Sequence, residues 1–309
     1  MKVAIVGAGA MGGLWATRLA ATGTPVTIVD VSEALVSAVK ADGLSVQTSD
    51  GTETARPAAT TDASVVGLVD VVFFFVKAQH TASAAALARP LVGPDTIVVS
   101  QQNGWGNADV LAGVYPPARI VIGVTYHSAT ALGPGRVAHT GQGPTVVGPY
   151  EDGAELDRAN RVGEVLCGAG IDTTVTETVK TEVWKKLILN AATLPTASLT
   201  LLRAGALGEP GPMLDLVDAV ASEAVAVARA QGYDIDRQER IARIHTVLAG
   251  AGQGKGSMLQ DVEARRKTEI EVINGAVVRA AARAGIAVPL NKAMLALIGG
   301  LERGWRQDS

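Results

Sequence analysis

Two lysines stand inside an apolar run in "TEVWKKLILN", residues 181–190, with Trp184 before them and Leu187, Ile188 and Leu189 after. Desolvating an ammonium is costly, so lysine is rarely buried without a use. Residues four apart share one face of a helix. Glu182, Lys186 and Asn190 therefore form a polar stripe on an otherwise apolar helix. Lys185 points about 100° away, toward solvent, where Glu182 or Glu177 can pair with it. A lysine on an inward stripe can hydrogen-bond a carbonyl and give it a proton, and burial lowers its pKa toward the range of a working acid catalyst. The plain alternative is a snorkelling side chain whose stem covers apolar surface. A second polar group lies in "GKGSMLQDVEARRKTEIEVINGAVV", with Ser257 after a glycine-rich loop and Glu269 and Glu271 on the helix expected to follow. Only one of these glutamates can face inward, and periodicity does not choose between them.

The N-terminus offers a different chemistry. "VAIVGAGAMGG" places Gly7, Gly9 and Gly12 in a GxGxxG spacing, directly after an expected strand and at the start of an expected helix. Gly7 allows the tight turn, Gly9 the close approach of a pyrophosphate, and Gly12 close packing of helix on strand. Free N–H groups at the helix start then hold the phosphates. Gly7, Gly9, Met11 and Gly12 are accordingly the candidate cofactor-binding residues of this loop. The next expected strand ends at Asp30, suited to accept hydrogen bonds from ribose hydroxyls. A 2′-phosphate there would meet repulsion, and "VSEAL" (31–35) adds Glu33 and no arginine. These features favour NAD over NADP. Asp30 is also placed to cap the following helix.

The elements that must position these groups fall into two sets. The first half alternates β-branched runs ("KVAIVGAG", "PVTIVD", "VDVVFFFVK", "DTIVVSQQNG", "RIVIGVTYHSA") with Ala/Leu-rich helical segments, a pattern that predicts an α/β domain around a parallel sheet. Residues 135–150 look like a hairpin at the sheet's edge. Beyond about residue 176 only helical periodicity remains, with Gly232 and Gly285 as helix stops and "GAGQGKGS" (250–257), carrying Lys255, as a flexible loop. The expected domains are therefore 1–176, dinucleotide-binding, and 177–309, all-helical and catalytic.

Composition narrows the function classes. The 309 residues are 48% hydrophobic with a formal net charge of -3, which supports packed cores and gives no electrostatic reason to expect nucleic acid or an anionic membrane as partner. The single Cys167, expected in a helix core, excludes an internal disulfide and fits a reducing, cytoplasmic setting. The four histidines have no metal-ligand spacing. Residues 1–23 loosely imitate a secretory signal, but regular glycines and Arg18 interrupt it.

With these residues in view, the chain resembles the ketopantoate reductase (2-dehydropantoate 2-reductase) family. The resemblance rests on "VGAGAMGG", "FFVKAQHT", "QQNGWGN", "GVTYHSA", "EVWKKLILN", "KGSMLQDVEARRKTEIEVINGAVV" and "AARAGIAVPLNKAM", in the family's order over nearly the whole chain. It implies a Rossmann-type doubly wound sheet, a C-terminal all-helical domain and an active site in the cleft between them. It implies hydride transfer from NAD(P)H to the carbonyl of a 2-oxo acid. By the same resemblance Lys186 is the general acid and Glu269, not Glu271, its acidic partner. Asn190 and Ser257 match substrate-binding positions, and Lys77 and Asn103 match residues near the nicotinamide and its ribose, with Asn103 also facing substrate.

Two departures stand out. The family usually has a second asparagine four residues after Asn190, and here that position is Leu194. Ketopantoate reductases usually use NADPH, and here Asp30 stands where a basic residue is common. Both lean toward relatives resembling NAD-dependent (R)-2-hydroxyacid dehydrogenases, which reduce other branched or aromatic 2-oxo acids. A rival of another class is a non-catalytic NAD(H) sensor, which has no need of a proton donor. "MLDLVDAVASEAVAVARA" is apolar enough to pair with a second copy, although burial within the chain explains it equally well.

Overall fold

A computed structural model describes residues 1–305. Contacts divide the chain into two compact units, one of Met1–Gln102 with Asn107–Lys180, the other of Asn103–Gly106 with the chain from Thr181 onward.

The first unit runs β1 (Val3–Val6), α1 (Ala10–Ala21), β2 (Val26–Val29), α2 (Glu33–Asp42), β3 (Leu44–Thr48), β4 (Gly51–Ala55), β5 (Ala58–Thr60), β6 (Val71–Phe74), α3 (Thr81–Leu87), β7 (Ile97–Ser100), α4 (Asn107–Ala112), β8 (Ile120–Thr125), β9 (Ser128–Gly133), β10 (Arg136–Gly141), β11 (Thr145–Pro149), α5 (Asp157–Gly168) and β12 (Thr173–Val175). Six strands form a parallel sheet in the order β5-β2-β1-β6-β7-β8. β11 joins antiparallel to β8, with β12 at its outer side. The strands β1, β6 and β7 are buried at every residue, as their unbroken apolar sequences require in a sheet covered on both faces. Their alternate side chains Val3, Ile5, Val71, Phe73, Ile97 and Val99 share one core with Leu14, Trp15 and Leu19 of α1. The strand order reverses at β1, between β2 and β6, which creates a crevice at the carboxyl ends of these strands.

Three expectations need correction. Residues 135–150 are not a hairpin: β10 pairs with β3 and β9 in a separate four-stranded sheet, β4-β3-β10-β9, while β11 lies between β8 and β12. The connection passes so close to Tyr126 that a Cβ on Gly143 would lie 2.7 Å from that residue's Cβ. "RIVIGVTYHSA" likewise splits, β8 going to one sheet and β9 to the other. Cys167 is exposed and not in a core, because Val162, Gly163 and Leu166 take the buried face of α5.

The second unit comprises α6 (Val179–Thr200, its first two residues counted with the first unit), α7 (Ala204–Leu207), α8 (Pro212–Ala230), α9 (Arg237–Ala251), α10 (Ser257–Glu263), α11 (Asn274–Ala284) and α12 (Pro289–Trp305). Among the described residues no helix is long and apolar enough to cross a membrane. The apolar face of α8, including Val217, Val220, Ala224 and Val227, is buried within the chain. Gly285 adopts the left-handed conformation at the end of α11, with φ 68°. The loop expected at 250–257 is shorter than its sequence suggests, since α9 runs to Ala251 and α10 starts at Ser257.

Pro195 lies inside α6. Proline has no N–H, so the Ala191 carbonyl one turn earlier loses its helical partner. Asn274 Nδ2, fully buried, donates to that carbonyl at 3.0 Å and to Asn291 Oδ1 at 3.1 Å. Asn291 Nδ2 donates in turn to Val220 O at 3.2 Å and to Glu223 at 2.8 Å, and the Glu223 carboxylate also receives the Leu290 and Asn291 N–H groups that open α12. One polar network thus ties α6, α11, α12 and α8, and the orphaned carbonyl sets where it attaches. Asn274→Ala should cost about 1–3 kcal/mol in urea unfolding, the penalty of a buried group left unpaired. Adding Pro195→Ala should recover part of that loss, because the new N–H reaches Ala191 O. No recovery in the double variant would show that Asn274 does not serve this carbonyl.

Candidate active site

At the end of β1 the chain turns at Gly7, with φ +87°. A Cβ there would sit 2.7 Å from Val76 Cγ1, the residue pair that lines the crevice between β1 and β6. At Gly12 a Cβ would lie 2.0 Å from Gly7 O, so only glycine lets α1 start this close to its strand. Gly9, the N-cap of α1, is different: a Cβ there would meet nothing within 4 Å. The open space faces a helix start that has no acidic residue in its first turn and no side-chain cap. Such a start presents bare N–H groups and the positive end of the helix dipole to an anion. Met11 packs partly on the core beneath.

Asp30 follows β2 and is fixed by two backbone donors: Ala8 N–H at 2.8 Å to Oδ2 and Ser32 N–H at 2.9 Å to Oδ1. The helix cap expected of it belongs instead to Ser32, whose hydroxyl receives Leu35 N–H. Each carboxylate oxygen retains a second lone pair. Lys77 follows Val76 after β6 and opens a 3-10 turn at Ala78–His80. These groups all lie at the carboxyl ends of β1, β2 and β6 in the first unit.

In the second unit α6 carries Lys186, Asn190 and Leu194 at i, i+4 and i+8, on one face. Lys185 turns away and pairs with Glu182 at 2.9 Å. Lys186 is hemmed in by protein yet still touched by solvent. Burial pushes its pKa from 10.5 down to about 8, and the charge of Glu269 opposes that fall. Glu271 is the outward one, exposed and 3.6 Å from Arg279. Asn190 is almost fully buried, and Leu194 is half-buried under Gly256, where a Cβ would come within 2.7 Å of Leu194 Cδ2. Ser257, next to Gly256, is exposed at the first position of α10. Lys255 in the adjoining loop is held by Glu263 at 2.6 Å.

The helix expected to carry Glu269 is broken. α10 ends at Glu263, and Glu269 caps a 3-10 turn at Ile270–Val272 ahead of α11. The break has two causes, one local and one long-range. "EARRK" is exposed throughout, with Arg265 at φ 48°, and buried Thr268 is drawn to Glu302, which accepts its N–H at 2.9 Å and its hydroxyl at 2.5 Å. Asn103 lies in the short segment Asn103–Gly106 that contacts assign to this second unit. Gly104 and Trp105, which hold that segment there, had no signal in the sequence beyond a glycine and a large aromatic side by side.

A parallel sheet with a glycine-lined helix start at its switch point, joined to a helical unit holding a buried lysine and a glutamate, defines a dinucleotide-binding oxidoreductase of two units. The family described as "Ketopantoate reductase PanE/ApbA" matches residues 3–152, and its C-terminal counterpart matches residues 178–302. The 2-dehydropantoate 2-reductase of Halobacterium salinarum is 36% identical over 96% of this chain and 98% of its own, and that of Archaeoglobus fulgidus 31% over 98% of each. Among solved structures, a ketopantoate reductase of Ralstonia eutropha superposes with TM-score 0.90 at 31% identity, covering 99% of this chain and 100% of its own. D-mandelate dehydrogenase in complex with NADH and anilino(oxo)acetate superposes with TM-score 0.93 at 26% identity, covering 98% and 99%. The chain belongs to the ketopantoate reductase family.

Proposed function

We propose that this protein reduces the 2-carbonyl of a 2-oxo acid, 2-dehydropantoate first among them, with Lys186 as the general acid. The observation that carries the reading is Lys186 itself, whose ammonium is kept in a mostly buried place with its pKa at about 8. A proton donor with that pKa is charged at neutral pH and still gives its proton up readily. Glu269 keeps it charged against the pull of burial. Lys186 hydrogen-bonds the carbonyl oxygen, stabilises the negative charge that grows there and transfers its proton to it. Asn190, one turn along α6, and Ser257 orient the carboxylate and neighbouring groups of the substrate, and Asn103 and Lys77 serve the nicotinamide and its ribose. A nicotinamide dinucleotide, when bound, supplies the hydride.

Lys186→Ala should lower kcat by about two to four orders of magnitude, the range for removing an acid or oxyanion donor, while cofactor binding survives. Lys185→Ala should do little. In the wild type, kcat should hold below pH 8 and fall above it as Lys186 loses its proton. Glu269→Gln should move that fall to lower pH, since it removes the charge that keeps Lys186 protonated. Equal losses in the two lysine variants, or an alkaline fall untouched by Glu269→Gln, would sink the assignment. Turnover of any 2-oxo acid would dispose of the sensor alternative.

The glycine loop suits the pyrophosphate of the cofactor, and Asp30 favours NADH. Its carboxylate is already oriented by the Ala8 and Ser32 N–H groups, ready for ribose hydroxyls and hostile to a 2′-phosphate. The similar D-mandelate dehydrogenase binds NADH, which supports the same choice. Gly9→Ala should fold normally and weaken binding of either cofactor, whereas Gly12→Ala should destabilise the unit outright. Asp30→Ala should erode the preference for NADH in fluorescence titration. A wild type that prefers NADPH would refute the cofactor reading.

Leu194 supports a second reading of the substrate. An apolar side chain stands half-buried one turn beyond Asn190, and the superposition with D-mandelate dehydrogenase points to relatives with apolar substrates. An unpaired hydroxyl buried on entry costs about 1–3 kcal/mol. Apolar 2-oxo acids such as 2-oxoisovalerate should therefore compete well with 2-dehydropantoate. Leu194→Asn should shift the ratio of kcat/KM values toward 2-dehydropantoate by about tenfold. A wild-type ratio strongly favouring 2-dehydropantoate, unmoved in the variant, would mean that the hydroxyl is read elsewhere.

A further inference from the structure

The two members of the lysine–glutamate pair arrive on elements far apart in sequence, α6 and the 3-10 turn at Ile270–Val272. Neither element fixes the other through its own sequence. The segment Asn103–Gly106 touches both. Gly104 has φ +86° and lies so close to the turn that a Cβ would sit 2.5 Å from Val272 O and 2.7 Å from Val272 Cγ2. Trp105 N–H donates to that same Val272 oxygen at 2.8 Å. Val272 N–H in turn bonds Glu269 O at 3.1 Å, so the carbonyl held by Trp105 belongs to the turn that Glu269 caps. The Trp105 ring reaches α6, with its centroid 5.4 Å from that of buried Trp184, and Tyr233 closes the cluster at 5.9 Å from Trp105 and 5.7 Å from Trp184.

We propose that Gly104 and Trp105 are positioning residues for the Lys186–Glu269 pair, a bracket whose backbone holds the glutamate's turn and whose indole holds the lysine's helix. Trp184 lies two residues before Lys186, about 200° around the helix. The bracket therefore grips α6 on the side away from Lys186. Glycine is required at 104 on two counts, the positive φ and the missing Cβ, and both serve the approach to Val272. A large aromatic at 105 is required because the span to Trp184 and Tyr233 must be filled by one rigid side chain. The inference rests on the reading of Lys186 as an acid whose charge Glu269 sustains.

The test is the pH dependence of kcat for 2-dehydropantoate reduction between pH 6 and 10, at saturating cofactor, in Glu269→Gln, Gly104→Ala, Trp105→Ala and Trp105→Phe. A bracket that slackens lets Glu269 drift from Lys186, so Gly104→Ala and Trp105→Ala should move the alkaline fall in the same direction as Glu269→Gln. At pH 8.5 they should lose about threefold more activity than at pH 6.5, the change in protonated fraction that half a pH unit gives there. Trp105→Phe, which keeps a ring in the cluster, should restore most of the wild-type profile. Should Gly104→Ala fail to fold, the comparison of Trp105→Ala with Trp105→Phe decides alone. A profile displaced in Glu269→Gln but unmoved in folded Trp105→Ala would overturn the bracket and leave the lysine assignment standing. A profile unmoved even in Glu269→Gln would overturn the pairing, and the bracket with it.

Discussion

The ammonium of Lys186 is costly to bury, and the charge of Glu269 works to keep it protonated. Removing an ammonium from water costs several kcal/mol, and one nearby carboxylate recovers only part of it. Both effects are visible in the pKa: burial lowers it from 10.5 to about 8, and Glu269 prevents a further fall. Burial wins, so holding the charged form at neutral pH costs the fold roughly 3 kcal/mol. Because the folded pKa lies below the unfolded one, that loss would be regained only as pH rises from about 8 past 10.5. A lysine kept only for stability would snorkel out, as Lys185 does toward Glu182. Retaining a destabilising charge in a fixed place fits the role of proton donor proposed for Lys186.

That requirement makes the position of α6 critical, and α6 is not secured by apolar packing alone. Its interior proline breaks the helical ladder and exposes one carbonyl, and the buried Asn274 side chain takes that carbonyl as its anchor. Apolar packing is non-directional, whereas a buried amide on a single carbonyl adds a directional contact that favours one register. Pro195 lies one residue beyond Leu194, so the irregularity sits beside the proposed pocket. One short stretch of sequence thus carries both the register anchor and the side chains proposed to meet substrate.

Much of this was legible in the sequence because local physics determines it. Unbroken apolar strands could only be the buried parallel sheet, and the glycine at 12 is enforced by contacts with Gly7 and Ile5, a few residues before it. The stripe of Lys186 and Asn190 follows from helix geometry, as does the outward turn of Lys185. The second sheet was not legible: β4 is mostly exposed and β3 alternates weakly, so "LSVQTSDGTETA" carries little apolar signal of its own and depends on α1 for its partner. The break before Glu269 was missed for a related reason. "DVEARRKTEIEVINGAVV" has helix-forming composition throughout, and the group that ends the helix, the Glu302 carboxylate holding Thr268, lies 34 residues downstream. Periodicity reports what a segment prefers, and long-range hydrogen bonds decide where it yields.

On the reading proposed above, the two units serve by different physical means, and this bears on how specificity can change. The nucleotide end is built from backbone: a left-handed turn, bare helix N–H groups, and a carboxylate whose direction is set by two main-chain donors. Such a site has few substitutable parts, and Gly7 and Gly12 tolerate no side chain. The proposed substrate end consists of side chains on one face of a single helix, with Lys186, Asn190 and Leu194 at successive turns. Leu194 is only half-buried and its Cδ2 packs at the bare Cα of Gly256, while the Asn274 anchor attaches to the backbone carbonyl of Ala191 and not to the Leu194 side chain. On the proposed reading, the nucleotide cradle leaves little room for substitution, whereas the position one turn beyond Asn190 can take a polar or an apolar side chain without changing the lysine.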